Sequence, residues 1–312
     1  MFNKVLIVIL FFTVAIVPQE FKKTATSGFT FLQIPVDART AALGETSIAL
    51  FDMNSDAVFT NPGGLGFTDR EHSLSISYAP WIADIKHYAA SYSFSSPIGV
   101  IGIGAVIFDY GEFVHTAVPS NSTNLYSVLG TYNANALSLG LSYSKRLTDK
   151  FSFGVTFKYV KESIYEYKAD NILFDGGILY YTGLSSLRIA ASISNFGVDS
   201  KFINDPIKMP SMLRLGAAME VIGDFKSDYR LTLSAEAVHP NDNDERLNIG
   251  AEFGWQNMVM FRGGYKFFYD EETYSLGIGV NPQLPMPVTL DFAYSDYGRL
   301  GDILRLTVQF GL

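Results

Sequence analysis

The sequence predicts an all-β protein: a transmembrane outer-membrane β-barrel of about fourteen antiparallel strands with a small N-terminal helical or irregular hatch. Three observations predict this fold. Apolar residues alternate with small or polar residues in many segments, most of which have the length of a tilted strand that crosses a bilayer. The connections between segments are short at one end and include the longest at the other, and aromatic residues gather near segment ends, as in barrels with two interfacial girdles.

The composition excludes several classes of protein. Charged residues make up 17% of the 312 residues, hydrophobic residues make up 48%, and the formal net charge is −8. Soluble domains average about 25% charged residues, so this chain is poor in charge for a soluble domain. Disordered chains combine low hydrophobicity with high net charge, and this composition excludes that class. The acidic balance and the lack of a basic stripe exclude a nucleic-acid partner.

The N-terminus has the pattern of a secretory signal peptide. Lys4 precedes an apolar run over residues 5–17, which is too short to span a bilayer as a helix and has the length of a signal-peptide core. We therefore predict that residues 1–25 are removed and that the chain is exported. The absence of cysteine excludes disulfides, thiolate metal sites and a lipoprotein anchor.

The alternation has a period of two residues, which is the period of a β-strand. In residues 151–159 every odd-numbered residue is Phe, Val or Tyr, and every even-numbered residue is Ser, Gly, Thr or Lys. The even number of predicted strands puts both termini in the periplasm. A secreted β-sandwich with an aromatic core is the alternative to the barrel. The predicted strands are 71–79, 86–95, 98–109, 131–146, 151–165, 172–182, 187–195, 211–221, 229–239, 246–255, 258–268, 273–281, 287–295 and 302–312.

A segment before the first strand breaks this alternation. Residues 31–66 are rich in alanine and other small residues and are interrupted by Pro35, Gly44 and the turn sequence of residues 61–64. A small-residue segment ahead of a barrel of this size can fill the lumen as a plug. We therefore divide the chain into a signal peptide (1–25), a hatch (26–70) and a barrel (71–312).

The hatch sequence carries a family resemblance. Its opening resembles that of the PorV/PorQ family, outer-membrane barrels related to the FadL fatty-acid transporters, and the resemblance extends to their layout of a hatch and fourteen strands. We expect Asn61 and Pro62 to fix the exit of the hatch rather than to contact a ligand. The residues that carry the resemblance are Phe31, Leu32, Ile34, Pro35, Ala38, Arg39, Ala41, Ala42, Leu43, Gly44, Asp56, Ala57, Asn61, Pro62, Gly63, Gly64 and Leu65.

The resemblance implies a non-enzymatic part in protein secretion. In that family's type IX role, the barrel associates with a secretion translocon subunit and receives exported cargo with C-terminal sorting domains. The expected partners are those proteins and the outer-membrane lipid, with residues 110–130 and 196–210 as outer loops for partner contact. No cofactor, metal or catalytic residue is expected.

Charged residues are also predicted on the lumen face of the strands. Their signs are mixed, which indicates structural ion pairs with each other and with the hatch rather than a selective pore. The charged lumen residues in this prediction are Asp175, Arg188, Arg214, Glu236, Glu252, Arg262, Lys266, Asp291 and Arg305. Lys158 and Arg230 are predicted on the same face.

Two other functions stay open. Uptake of a hydrophobic small molecule through the hatch and a lateral opening predicts an apolar pocket beside residues 41–66 and a kink or gap in a nearby strand, with Gly99, Gly102 and Gly104 as candidate positions. An envelope-lipid hydrolase predicts a serine and a carboxylate beside one of the four histidines, His72, His87, His115 and His239.

Overall fold

Fourteen antiparallel strands close into a barrel, which confirms the predicted fold class. The computed structural model describes residues 26–118, 125–203, 205–225 and 227–311, and the predicted signal peptide lies outside them. The strands follow one another around the barrel in chain order, and the first pairs with the last. In the described part of the chain, no helix is both long and apolar enough to cross a membrane.

The barrel strands differ in length, and a two-stranded ribbon, β8 and β9, lies outside the barrel. The strands are β1 (His72–Pro80), β2 (Lys86–Ser96), β3 (Gly99–Ala117), β4 (Ser127–Thr148), β5 (Phe151–Ile164), β6 (Tyr167–Tyr181), β7 (Arg188–Phe196), β8 (Ser200–Lys201), β9 (Pro206–Ile207), β10 (Met212–Ile222), β11 (Tyr229–Pro240), β12 (Arg246–Trp255), β13 (Val259–Phe267), β14 (Tyr274–Val280), β15 (Val288–Asp296) and β16 (Asp302–Gly311).

The alternation in sequence becomes two faces of the wall. In β1, Ser73 and Ser75 are buried towards the lumen, whereas Leu74 and Ile76 are exposed on the outside. Successive strand side chains point to opposite faces, so an apolar outer face and a small polar inner face follow from the sequence. The outer face is suited to lipid, and the inner face leaves room for other parts of the chain.

Short helical turns occupy that room. The α-helix Ala38–Ala42 begins at Asp37, whose carboxylate accepts a hydrogen bond from the Thr40 amide at 2.8 Å. The Ala38 amide donates to Thr307 Oγ1 of β16 at 2.8 Å, which fixes the helix against the lumen wall. The other short helices are Thr30–Gln33, Asn54–Asp56, Ala57–Thr60 and Pro62–Phe67 before β1, and Ile82–Asp84 and Gly298–Leu300 between strands.

Glycines in the wall let the hatch backbone come close. A Cβ on Gly177 would overlap Asn61 Oδ1, and a Cβ on Gly154 would overlap the Pro62 carbonyl group. In the hatch, a Cβ on Gly63 would stand 2.8 Å from the Gly177 carbonyl oxygen. The turn at residues 61–64 therefore lies directly on the backbone of β5 and β6.

The structure corrects two expectations about the strands. The outer loop predicted over 110–130 is largely strand, because β3 continues to Ala117 and β4 starts at Ser127. The gap expected near Gly99, Gly102 and Gly104 is absent from this described stretch, since residues 100–109 pair with both β2 and β4. The second predicted loop matches the connection over 197–211, which contains the ribbon of β8 and β9.

The two ends of the described chain lie at opposite ends of the barrel. Ser73 pairs with Gly311 where the first and last strands meet. At the other end, Ser27 bridges to Lys208, and the Gly28 amide donates to the Lys208 carbonyl oxygen at 3.1 Å. The chain thus passes through the lumen before it enters β1. The start of β1 and the end of β16 lie on the same side of the barrel, whereas the start of the hatch lies on the other.

The contact between the hatch and β6 gives a test of close approach. We expect Gly177→Ala to lower the free energy of unfolding by about 1–3 kcal/mol, because the added methyl group collides with Asn61. The adjacent control is Gly176→Ala, whose Cβ meets only Ile193 and Phe174 at 3.6 and 3.7 Å. Heat unfolding of both variants in detergent checks this, and equal unfolding temperatures would contradict the described seating of the hatch.

Candidate functional site

The strongest link between the hatch and the wall is a buried ion cluster. Arg39 of the hatch meets Glu252 of β12 with two hydrogen bonds, Nε to Oε2 at 2.9 Å and Nη2 to Oε1 at 3.0 Å. Glu252 also pairs with Arg230 at 3.1 Å and with Arg262 at 2.7 Å. Arg262 in turn pairs with Asp291 at 2.6 Å. Arg39 also pairs with Asp52 of the hatch at 2.7 Å. Glu252 thus contacts three guanidinium groups, and its removal would leave Arg230 as a buried cation without a carboxylate partner among the described residues.

The other predicted lumen charges lie on the inner face as well. Asp175 pairs with Lys158 at 2.8 Å, and Arg214 lies 3.6 Å from Glu236. Glu236 also accepts hydrogen bonds from the Ser47 and Ile48 amides of the hatch. These contacts add a second attachment of the hatch to the wall.

Several partners in these pairs were not among the predicted site residues. Arg188 pairs with Glu220 through two hydrogen bonds of 2.8 and 2.9 Å. Lys266 pairs with Glu45 of the hatch and with Glu272 of the β13–β14 connection. Glu220 could have been predicted, because it is an even number of residues from Arg214 in β10 and so lies on the same face of the strand. Glu45 and Glu272 lie outside the strands, where alternation gives no signal.

Arg305 differs from the other predicted charges. Among the described residues it forms no ion pair, and its Nε has no hydrogen-bond partner. Its Nη2 lies 3.3 Å from His87 Nδ1, and its guanidinium carbon lies 5.8 Å from the Trp81 ring centre. This buried cation is therefore held by an imidazole and an aromatic ring rather than by a carboxylate.

The hatch motif places Asn61 at its exit. The Asn61 Oδ1 accepts from the Gly63 amide at 3.0 Å, while its Nδ2 donates to the carbonyl oxygens of Ile48 and Ile178 at 2.8 and 3.1 Å. This side chain therefore closes the turn and joins it both to the hatch and to β6. Pro62 starts the helix that follows, where a missing amide hydrogen has no cost.

The remaining motif residues have positions of their own. Gly44 has a φ of 64° and its amide donates to Ser275 Oγ at 3.0 Å, so a left-handed residue ends the helix Ala38–Ala42 beside β14. Gly64 faces Ala57, where a Cβ would stand 3.4 Å from the alanine methyl group. Pro35 lines a cleft between the hatch and the wall.

That cleft encloses a cavity of about 50 Å³, and its lining is of two kinds. Phe31, Val58 and Phe59 contribute an apolar side from the hatch. Ser138, Thr156 and Lys158 contribute a polar side from the strands. The cleft is therefore amphipathic and is not a continuous apolar conduit.

Asp56 of the hatch is a buried carboxyl group with three donors. Ser75 and Ser91 donate to it at 3.1 and 2.9 Å, and Gln309 donates as well. Burial raises the pKa of Asp56 to about 7, and the nearby charge of Asp37 adds to this rise, against the three hydrogen bonds that lower it.

The histidines do not assemble a hydrolytic site in the described part of the chain. None of them hydrogen-bonds both a serine and a carboxylate, and no group of three or more His, Asp or Glu side chains that could hold a metal occurs there. His72, His87, His115 and His239 contact, in that order, Tyr92, Arg305, Tyr165 and Glu245.

The ion cluster predicts a large effect for a small change. We expect Glu252→Gln to lower the free energy of unfolding by about 3–5 kcal/mol, because Arg230 loses its only carboxylate partner among the described residues, and Arg39 and Arg262 each lose one of two. The control is Glu271→Gln, whose partner Arg299 is exposed, and this variant should unfold like wild type. Denaturant unfolding in detergent measures both, and a Glu252→Gln barrel as stable as wild type would refute the role of the cluster.

Asp56 predicts a pH dependence of known sign. Between about pH 4, where the unfolded carboxyl loses its proton, and about pH 7, the folded chain still holds that proton. As the pH rises through this window, the free energy of unfolding of wild type should therefore fall relative to that of Asp56→Asn. Above about pH 7 the difference between the two variants should be constant. Unfolding midpoints at a series of pH values measure the difference, and a wild type that gains no stability relative to Asp56→Asn as the pH falls from about 7 to about 4 would contradict the prediction.

Solved structures share the fold of this chain. The toluene transporter TbuX of Ralstonia pickettii has a TM-score of 0.60 at 14% identity, covering 88% of this chain and 96% of that one. The toluene transporter TodX of Pseudomonas putida has a TM-score of 0.58 at 13% identity, covering 93% and 99%. A FadL homologue of Pseudomonas aeruginosa has a TM-score of 0.57 at 12% identity, covering 88% and 98%. At these identities the likeness concerns the fold alone.

The family is identified by sequence. No curated protein matches the chain. The profile of the family described as Type IX secretion system protein PorV matches residues 17–240, which is well over half of the chain. The match includes the hatch, with its Arg39 and Asn61 contacts, and the wall through β11. The chain therefore belongs to the PorV family and is an outer-membrane barrel of type IX secretion.

Proposed function

We propose that this barrel is a non-catalytic binding component of type IX secretion, which holds a translocon subunit and exported cargo with C-terminal sorting domains at its outer end. The observation that carries the proposal is the filled lumen. The hatch is fixed to the wall through Arg39, Glu236 and Asn61, so the interior serves as a rigid body rather than as a path for a polypeptide.

The unequal ends of the barrel support the assignment of sides. Two of the connections at one end have only two residues, 97–98 and 149–150, whereas the other end has one of that length, 165–166. The other end carries the connection over 197–211 and the extended β3–β4 hairpin. Short turns are periplasmic in barrels of this kind, so we place the hairpin and 197–211 outside the cell and both ends of the barrel in the periplasm.

A second candidate function rests on the cleft beside the hatch. Its apolar side, with Phe31 and Phe59, would accommodate part of a hydrophobic small molecule, as expected for uptake. Its polar side and the continuous pairing of β3 disfavour passage through the wall. We therefore rank uptake below partner binding.

Co-purification from native outer membranes distinguishes the two functions. The tagged barrel in mild detergent should retain a large translocon subunit or secreted proteins that share a C-terminal domain, identified by mass spectrometry. We expect Ile203→Asp, at a position 63% exposed in the outer connection, to reduce this retention. The control is Leu284→Asp, at a position 55% exposed at the opposite end, which should retain the same proteins.

The contrary outcome is equally specific. A barrel that carries no secretion protein and instead holds one hydrophobic small molecule per chain would reverse the ranking in favour of uptake. Equal loss of partners in both variants would contradict the outer connection as the contact surface.

A further inference from the structure

The β3–β4 hairpin continues beyond its neighbours in the barrel wall. The last pair between β2 and β3 joins Lys86 to Asp109, whereas β3 continues to Ala117. A shift of register follows directly, and residues 110 and 111 have no partners in β4. Gly111 has a φ of 81°, so the strand changes direction here. The hairpin therefore leaves the wall at this bulge.

The hairpin beyond the bulge lies outside the bilayer. The outward-facing residues below it, Ile103, Ile107 and Leu139, are exposed and apolar, as on a lipid-facing wall. The next outward-facing pairs are polar: Asp109 with Asn135, and Glu112 with Asn133. Carboxylates on the lipid face of a barrel are costly at depth, so this belt marks the membrane boundary. Everything above it faces water.

Apolar side chains reappear beyond the polar pairs Asp109–Asn135 and Glu112–Asn133, where no lipid covers them. Val114 is 60% exposed and Phe113 is 41% exposed. Phe113 stacks on Tyr132 across the hairpin at a ring-centre distance of 5.6 Å, and His115 packs on Tyr165 at 4.8 Å. Both faces of the hairpin are thus structured and partly apolar in water.

The outer edge of β3 has no neighbouring strand over residues 112–117 in the described part of the chain. These six residues keep a regular register on the β3 side, because the extra residue of the next bulge, Leu129, belongs to β4. An antiparallel edge of this length presents about three amide and three carbonyl groups to the outside. The edge of β4 is less available, since the Tyr165 amide donates to the Asn133 carbonyl oxygen.

This edge lacks the residues that normally protect one. Edge strands are usually guarded by lysine or proline, which oppose pairing with another chain. Residues 112–117 read Glu-Phe-Val-His-Thr-Ala and contain neither of them, and Glu112 is their only full charge at neutral pH. An unguarded, regular, partly apolar edge in water is suited to accept a strand.

We propose that the β3 edge over residues 112–117 is a strand-addition site, at which a protein partner outside the cell donates an extended segment that pairs with this edge. The inference rests on the proposed function and names how the partner is held. The added strand would place apolar side chains beside Phe113 and His115 on one face and beside Val114 on the other. A basic residue of the partner would lie opposite Glu112.

A second copy of this chain is a poor occupant. Two barrels in one membrane are related by a rotation about the membrane normal, and strands tilted at roughly 40° would then cross at roughly 80°. Strands at that angle do not form a ladder of backbone hydrogen bonds. A partner segment that is free to orient itself has no such constraint.

A labelled synthetic heptapeptide of alternating valine and threonine tests the site on the purified barrel. We expect wild type to bind it and Val114→Lys to weaken binding about tenfold or more, because lysine blocks an edge. The control is Val128→Lys on β4, where the exposure is also 60%, and its binding should change by less than about twofold. The same peptide with alternate backbone amides methylated should not bind, because it cannot complete the ladder.

The proposal is overturned if the peptide fails to bind, if the methylated peptide binds equally, or if Val114→Lys has no effect. Photocrosslinking from Thr116 in native membranes adds a second readout. An adduct with a secretion protein supports the site, and an adduct between two copies of this chain overturns it. If the peptide binds but no secretion protein co-purifies, the proposed function fails while the site stands. If secretion proteins co-purify equally with wild type and Val114→Lys, the site fails while the function stands.

Discussion

The pairing of Arg39 with Glu252 is the interaction on which the interior depends. A buried ion pair gives little net stability over an apolar pair, but it penalises every arrangement in which one partner is left alone. Arg230 and Arg262 hold Glu252 in place on the wall, so Arg39 meets this carboxylate only when the hatch lies beside β12. The pair thus specifies where the hatch lies, and the small residues around it allow the chain to lie there.

The rest of the lumen is consistent with that seating. Serine and glycine on the inner face give the hatch backbone a surface that it can approach closely, as Gly177 does for Asn61. The cleft that remains is lined on the wall side by both polar and apolar side chains, such as Thr156 and Val106. A barrel filled in this way is a stiff support, which agrees with a role that depends on its outer surface rather than on its interior.

Much of this architecture could be predicted from local pattern. Alternation identified the strands and assigned Glu252, Arg262 and Asp291 to the inner face, since strand parity is a property of neighbouring residues. It could not identify the hatch partners of these charges, such as Arg39 for Glu252, because those partners lie far away in the sequence. The outer ends of β3 and β4 were missed for a related reason. Gly111 and Gly130 lie in the stretch predicted as a loop, whereas the structure has them at φ of 81° and 145° within β3 and β4.

The hatch contacts also constrain how the protein is assembled. The Arg39–Glu252 pair joins residues 213 positions apart, and the Ala38–Thr307 bond joins residues 269 positions apart. The hatch precedes the strands in the chain and thus finds these partners in β12 and β16, which follow much later. Contacts of such long range form late, because the entropy cost of ordering the intervening chain comes before the contacts can stabilise the fold. The barrel must therefore keep an unfinished interior until β16 meets β1, and the machinery that inserts it must hold the N-terminal segment in reach until that seam closes.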